Sequence, residues 1–343
     1  MMIVPDRGVQ PSFLDVFDAL LLDMDGTLIH GSRAIDHAVE AVEVARARGL
    51  ALSFATNNAS RTPQMVVDHL GSLGFEAKPD EVVNSPMVAT ALLATLIEPG
   101  SHVLVVGGEG ILAELSAQGF IPVREDTPEV AAVLHGFAPT VGWRDLAEAA
   151  YAIGHGAIYV ATNVDSTLPT ERGFAPGNGS LVAALTHATG VTPRSAGKPE
   201  PDMFLVAAER AGATRPLAVG DRLDTDLEGG NRAGIPTFHT LTGVSSWRDA
   251  VAAPPIQRPT FIRPDLSHLQ GPATSPVIEG SWARFGDVSA TFTKERIEVS
   301  GATSSWRVPQ LVISLVSALS PEEAFTGDVV SAEGSELTPP LFR

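Results

Sequence analysis

Two carboxylates at the end of an apolar run open the chemistry of this chain. In LLLDMDGTL, residues 20–28, a hydrophobic strand ends at Asp23, and Asp25, Gly26 and Thr27 follow at once. Ligands of open α/β sheets bind beyond the carboxyl ends of strands, so acids placed there face a binding crevice. Two such groups repel unless a cation or a shared proton lies between them. A plain turn would explain Asp25-Gly26 but not Asp23 at the end of the run. In FATNNASR, residues 54–61, a second apolar run ends in Thr56, Asn57 and Asn58, whose hydroxyl and amides suit phosphoryl oxygens; an ordinary helix cap from Asn58 or Ser60 is the plainer alternative. AGKPEPDMF, residues 196–204, sets Lys198 just before a helix opened by Pro199 and Pro201, where a solvated lysine is the default. LAVGDRLDTDLEGG, residues 217–230, ends a strand at Gly220 and crowds Asp221, Asp224 and Asp226 into one loop. Such acid clusters bind hard cations through oxygen. Together the four segments assemble a site for a metal and a phosphoryl group.

The elements that must hold these residues alternate. Ala19–Leu22, Leu50–Ala55, Val103–Val106, Val130–Leu134, Ile158–Ala161, Leu217–Val219 and Ile235–Phe238 read as buried strands, with amphipathic helical stretches such as 36–48 and 62–73 between them. That rhythm implies βαβ units and a parallel sheet, hence an α/β fold. From about Pro272 the pattern changes. A Gly- and Pro-rich linker leads into period-two alternation over 281–299, expected as two antiparallel strands, then a helix over 308–319 and, from Pro321, a mobile acidic tail.

Composition narrows the function classes. The chain has 343 residues, enough for two or three domains, and a formal net charge of −17, which argues against nucleic acid as a partner. With 44% hydrophobic and 18% charged residues it is expected to fold rather than remain disordered. There is no cysteine, which excludes disulfides, a thiol nucleophile and zinc–thiolate sites. No apolar run approaches a membrane span, and the acidic N-terminal stretch is unlike a signal peptide, so a cytoplasmic protein without a membrane partner is expected.

DxDGT at 23–27, Thr56, Lys198 and GDxxxxD at 220–226, in that order, resemble the four motifs of the haloacid dehalogenase superfamily of phosphotransferases. TNNAS, the stretch 162–185, AGKP and the stretch 220–245 are similar to its p-nitrophenyl-phosphatase-like subgroup, which includes phosphoglycolate, glycerol-3-phosphate and pyridoxal phosphatases and NagD-type nucleotidases. The resemblance spans about residues 18–270. It implies a Rossmann-like parallel-sheet core over 1–84 and 193–270, a large inserted α/β cap over 85–192, and a small α+β C-terminal extension over 271–343 like the acetyltransferase-like fragment of actinobacterial members. The extension lacks an acyl-CoA loop of the Q/R-x-x-G-x-G/A form, so packing or dimerisation is its expected role, outside the catalytic unit and removable near Gly271 at little cost in turnover.

Carried over residue by residue, the resemblance makes Asp23 the nucleophile of an aspartyl-phosphate and Asp25 the acid and base. Thr56 and Lys198 would hold the transferring oxygens. Mg²⁺ would be bound by the Asp23 carboxylate, the Asp25 backbone carbonyl and Asp221, with Asp226 as a ligand or one step behind. Substrate contacts would come from Thr56, Asn57, Asn58, Lys198 and the cap residues Asn163, Asp165, Thr167 and Glu171. Two of these four cap residues are acids and would repel a second carboxylate on the substrate, which favours a neutral polyol over phosphoglycolate. With the resemblance of the extension to that of actinobacterial members, which include glycerol-3-phosphate phosphatases, this implies glycerol 3-phosphate as substrate, with phosphoglycolate, pyridoxal phosphate or a nucleoside monophosphate as the alternatives. A homodimer formed through the cap is compatible with the resemblance. Arg61 and Arg222 adjoin the motif loops as substrate contacts or structural ion pairs, and the four tryptophans are expected to pack.

Three rival readings compete with this one. VLVVGGEGILAEL, residues 103–115, carries G-x-G-x-x-A at Gly108, Gly110 and Ala113, with Glu125 and Asp126 at the spacing of a ribose ligand, as in nicotinamide oxidoreductases. The alternative is a tight strand-to-helix turn that binds nothing. A true dehalogenase needs no Mg²⁺ and no Asp25-Gly-Thr. An interaction module would rest on the C-terminal segment alone.

Overall fold

The computed structural model describes residues 10–59, 61–170, 172–293, 296–332 and 337. The chain divides into two compact units, residues 1–53 with 211–343, and residues 54–210.

In the first unit, Ala19–Leu22 is buried at every position, as expected of a parallel strand covered on both faces. It pairs in parallel with Pro216–Gly220, which pairs with Thr237–Thr240, which pairs with Phe261–Arg263. The helix Ala38–Ala47 buries Ala38, Ala41, Val42 and Ala45, the spacing of one helical face. Phe13, fully buried, packs edge-on against Phe238 and Phe261.

The C-terminal segment adds a sheet of five strands: Val277–Glu279, Trp282–Phe285, Val288–Thr293 and Arg296–Gly301 run antiparallel, and Asp328–Ser331 joins the last in parallel. The alternation over 281–299 thus belongs to three strands rather than two, because the turn at Gly286, with φ of +65°, reverses the chain within it. The expected tail from Pro321 is corrected over its described part. Asp328–Ser331 is a strand, and Phe325 and Leu337 are buried.

The helix Arg307–Leu319 lies on this sheet, and its apolar residues share one core with Leu223, Leu227, Trp247, Val251 and Ile262. Gln310, in its first turn, accepts from the Ile262 N–H at 2.9 Å and donates to the Thr260 carbonyl at 3.1 Å. A side chain here covers the free edge of the Phe261–Arg263 strand, which would otherwise expose unpaired backbone groups. Arg258, also buried, donates to the carbonyls of Ala253, Ser320 and Glu323. The segment therefore shares its core with residues 223–262, which departs from the expectation that it lies apart.

The second unit has its own five-stranded parallel sheet, in the order Arg194–Ser195, Ile158–Ala161, Val130–His135, His102–Val106, Ile121–Val123. Helices Glu109–Ala117, Trp143–Gly154 and Asn178–Thr189 alternate with its strands. Val82–Asn84 pairs in parallel with Phe54–Thr56, the last half of the strand Ala51–Thr56. Of the tryptophans, Trp247 is buried but Trp143 is 80% exposed at the start of its helix, so the expectation that all four pack is corrected there. No helix among the described residues is long and apolar enough to cross a membrane.

Candidate active site

The candidate residues form two clusters, one in each unit. In the first, Asp23 continues the ladder of its strand by one residue, its N–H donating to the Val219 carbonyl at 2.9 Å. The chain then turns tightly. Gly26 has φ of +89°, and the N–H groups of Leu28 and Ile29 return to the Met24 carbonyl. Asp25 is left exposed on this turn, whereas Asp23 is buried.

Asp221 follows the end of Pro216–Gly220 and is fully buried. One of its carboxylate oxygens accepts the Val244 N–H at 2.6 Å, and Thr27 Oγ1 lies 3.5 Å from the other. Next comes a single wide π-helical turn, Leu223–Leu227, which swings Asp226 back so that its carboxylate accepts the Arg222 N–H at 3.2 Å. Asp23, Asp221 and Asp226 each offer a carboxylate oxygen within 4.8 Å of the others, and all three are buried. Three anions this close and shielded from water repel one another unless a cation lies among them. All-oxygen, carboxylate-rich donors suit a hard divalent ion such as Mg²⁺ or Ca²⁺. The site thus fits the expected metal, with the Asp25 side chain outside this group of three.

Glycines make the cluster possible. A Cβ at Gly26 or Gly243 would overlap the Asp221 carboxylate, and one at Gly220 would overlap Asp226. Behind Asp221 lies His239, wholly buried, which burial holds at a pKa of about 4 and so neutral. Its Nε2 lies 3.2 Å from the Asp221 carbonyl and 3.1 Å from that of Ser245. Both neighbours are acceptors, so Nε2 carries the proton and ties the strand Thr237–Thr240 to the loop that holds Asp221. Thr242 Oγ1 donates to the Gly26 carbonyl at 2.7 Å, fixing the same loop to the Asp25 turn.

The second cluster gathers Thr56, Asn57, Asn58, Asn163, Asp165 and Lys198. Thr56 ends its strand, buried, and its hydroxyl accepts the Asn58 N–H at 3.1 Å. Lys198, 2% exposed, donates from Nζ to the Ala55 carbonyl at 3.1 Å. Asn163 Nδ2 donates to the Asn57 carbonyl at 2.8 Å, and Asp165 accepts from Asn57 Nδ2 at 3.1 Å. Thr167, itself exposed, begins the strand Thr167–Thr170, and Glu171 lies outside the described residues.

Several other residues find structural uses. Arg222 pairs in bidentate fashion with Asp224, at 3.1 and 2.9 Å, which takes Asp224 out of the acid cluster. In the glycine-rich turn after His102–Val106, a Cβ at Gly107 would meet Ile111 and the Gly136 carbonyl, and one at Gly110 would press on Ala59 and Arg61 carbonyls. Glu125 pairs with Arg144 and Asp126 with His155. Gly110, Glu125 and Asp126 of the dinucleotide-like fingerprint are thus engaged within the protein.

Sequence reasoning missed the supports: His239, Thr242, Gly243 and Val244 around Asp221, Ser85 at the Asn57 carbonyl, Asn178 at the Asn163 carbonyl and Asn84 at that of Arg61. Only Asn84-Ser85-Pro86 carried a local signal, a helix start in which Asn84 caps by accepting the Met87 N–H at 3.1 Å.

A family model for haloacid dehalogenase-like hydrolases matches residues 20–121, and a second, HAD-hydrolase-like model matches 195–269. The D-glycerol 3-phosphate phosphatase of Mycobacterium tuberculosis is 52% identical over 254 residues, covering 74% of this chain and 70% of that protein. The chain belongs to the haloacid dehalogenase-like hydrolases and is a phosphatase. The crystal structure of a glycerol phosphate phosphatase from Mycobacterium tuberculosis in complex with magnesium superimposes with a TM-score of 0.83 at 40% identity, over 94% of this chain and 95% of that one. A single-mutant thermostable NPPase from Geobacillus stearothermophilus superimposes with a TM-score of 0.67 at 33% identity, over 74% of this chain and 97% of its own. The extra length of this phosphatase over the Geobacillus enzyme is thus shared with the mycobacterial structure.

Proposed function

We propose that this phosphatase hydrolyses a small phosphomonoester with Mg²⁺, through an aspartyl-phosphate on Asp23, and that glycerol 3-phosphate is its preferred substrate. The convergence of Asp23, Asp221 and Asp226 carries the reaction. The substrate is supported by the 52% identity with the D-glycerol 3-phosphate phosphatase.

In this reading one Asp23 oxygen attacks phosphorus, the ester P–O bond breaks, and Asp25 gives its proton to the departing alkoxide. Asp25 then takes a proton from a water that attacks the phosphoryl group, releasing phosphate and restoring the Asp23 carboxylate. Its exposure on the turn suits a group that must meet both substrate and water. Thr56 and Lys198 hold the oxygens of the transferring phosphoryl group, countering its charge. Mg²⁺ held by Asp23, Asp221, the Asp25 carbonyl and Asp226 would neutralise charge that develops in transfer. Residues 85–192, with strands and helices of their own, serve as a cap that encloses a small substrate and excludes water. A homodimer and a cytoplasmic location belong to the same reading; sedimentation of the purified protein and fractionation of source cells test them.

The decisive experiment compares kcat/KM for glycerol 3-phosphate, phosphoglycolate, pyridoxal phosphate and UMP at one Mg²⁺ concentration. Glycerol 3-phosphate should lead. A preference of about tenfold or more for any other ester, a difference of ~1.4 kcal/mol in barrier, overturns the substrate and leaves the phosphatase standing.

A further inference from the structure

Asn57 and Asp165 stand in the sequence as substrate ligands, yet both side chains are engaged within the protein. Asn57 Oδ1 accepts the Lys198 N–H at 2.9 Å, and its Nδ2 donates to the Lys198 carbonyl at 3.1 Å. One carboxamide therefore grips both polar groups of a single residue's backbone, as a neighbouring strand would. The same Nδ2 lies 3.2 and 3.1 Å from the two oxygens of Asp165. A carboxylate only accepts, so Asp165 fixes which end of the carboxamide is nitrogen and hence which way it grips. The Asn57 backbone is fixed as well: its carbonyl accepts from Ser85 Oγ at 2.7 Å and from Asn163 Nδ2 at 2.8 Å. Close approach needs Gly197, where a Cβ would sit 2.7 Å from Asn57 Oδ1.

We infer that Asn57 is a positioning residue that clamps Lys198, that Asp165 orients the clamp, and that neither side chain selects the substrate. This rests on the proposed role of Lys198 at the phosphoryl oxygens. A flexible lysine places its charge well only if its backbone is held, and small misplacements at a reacting phosphoryl group are costly. Held at both N–H and carbonyl, and at Nζ by Ala55, the Lys198 side chain starts from a defined position.

The test is a double-mutant cycle on the Mg²⁺-loaded protein, read with glycerol 3-phosphate and with p-nitrophenyl phosphate, and with melting temperatures as a control on folding. Asn57→Ala should lower kcat by roughly 10- to 100-fold for both esters alike. Combined with Lys198→Ala it should be no slower than Lys198→Ala alone, to within about twofold, because it acts through that residue. Asp165→Asn keeps one acceptor for Asn57 and preserves shape, so its loss should be only about 2- to 5-fold and equal for the two esters. A double variant slowed by the product of the single effects overturns the clamp. So does a change of about tenfold or more in the ratio of kcat/KM between the esters in Asp165→Asn, which would place that carboxylate on the substrate. Lys198→Ala with undiminished turnover would overturn the assignment of Lys198 and the clamp with it, whereas an impaired Lys198→Ala with a multiplicative double variant removes the clamp alone.

Discussion

At Gly243 an added methyl group would overlap the Asp221 carboxylate, so the space for that side chain is set by the absence of another. Gly243→Ala should push Asp221 out of line with Asp23 and Asp226. The Mg²⁺ concentration for half-maximal turnover is then expected to rise about tenfold or more, and the stabilisation of the protein by Mg²⁺ in thermal melts to shrink in step. An unchanged Mg²⁺ requirement would contradict the metal assignment. His135 gives a second, independent test. It ends the strand Val130–His135, buried, with Tyr159 of the next strand 2.9 Å away through its hydroxyl, and burial lowers its pKa to about 4. The unfolded chain binds a proton near pH 6.5 and the folded chain does not. Stability is therefore whole above that pH and falls as pH drops through about 4, by on the order of 3 kcal/mol from this residue. Melting temperature followed across that window should fall, and fall less steeply in His135→Gln. The acids were legible in the sequence because their type and their place at strand ends announce them. His239, Val244 and Asn178 were not, because they act through backbone contacts with residues far along the chain.

Elements were legible where burial is uniform. Ala19–Leu22 and Ile158–Ala161 fall where the apolar runs place them, while Ile235–Phe238 is displaced to Thr237–Thr240, because Pro236 cannot donate to a ladder and the strand begins after it. The C-terminal segment is an α+β addition, as its alternation and apolar helical run imply. Its core is continuous with Trp247, Val251 and Ile262, and Gln310 completes the edge of the Phe261–Arg263 strand, neither of which a composition break can reveal. Ending the chain at Gly271 would expose several large apolar side chains at ~1.5–3 kcal/mol each, a loss comparable to the stability of a whole domain. The truncated protein is expected to aggregate or to melt at least about 10 °C lower. A truncation that melts like the full chain would show the shared core to be unimportant.

On the scale of the whole molecule, alternating strands and helices disclosed the α/β class, but not the order of strands. Ala19–Leu22 pairs with Pro216–Gly220 across most of the chain, and such pairings depend on contacts that local patterns do not encode. The net charge of −17 was likewise legible without its consequence. An acidic protein can still take an anionic ester where a bound divalent ion reverses the local field, and the buried acids Asp23, Asp221 and Asp226, brought within 4.8 Å of one another, are suited to hold such an ion. The covalent role of Asp23 is open to direct test. Rapid acid quench of the protein turning over radiolabelled glycerol 3-phosphate with Mg²⁺ should leave phosphate bound to protein, released by hydroxylamine as an acyl phosphate is, and Asp23→Asn should show neither the label nor turnover above about a thousandth of the parent. Steady turnover with no labelled protein, or label retained in Asp23→Asn, would contradict it.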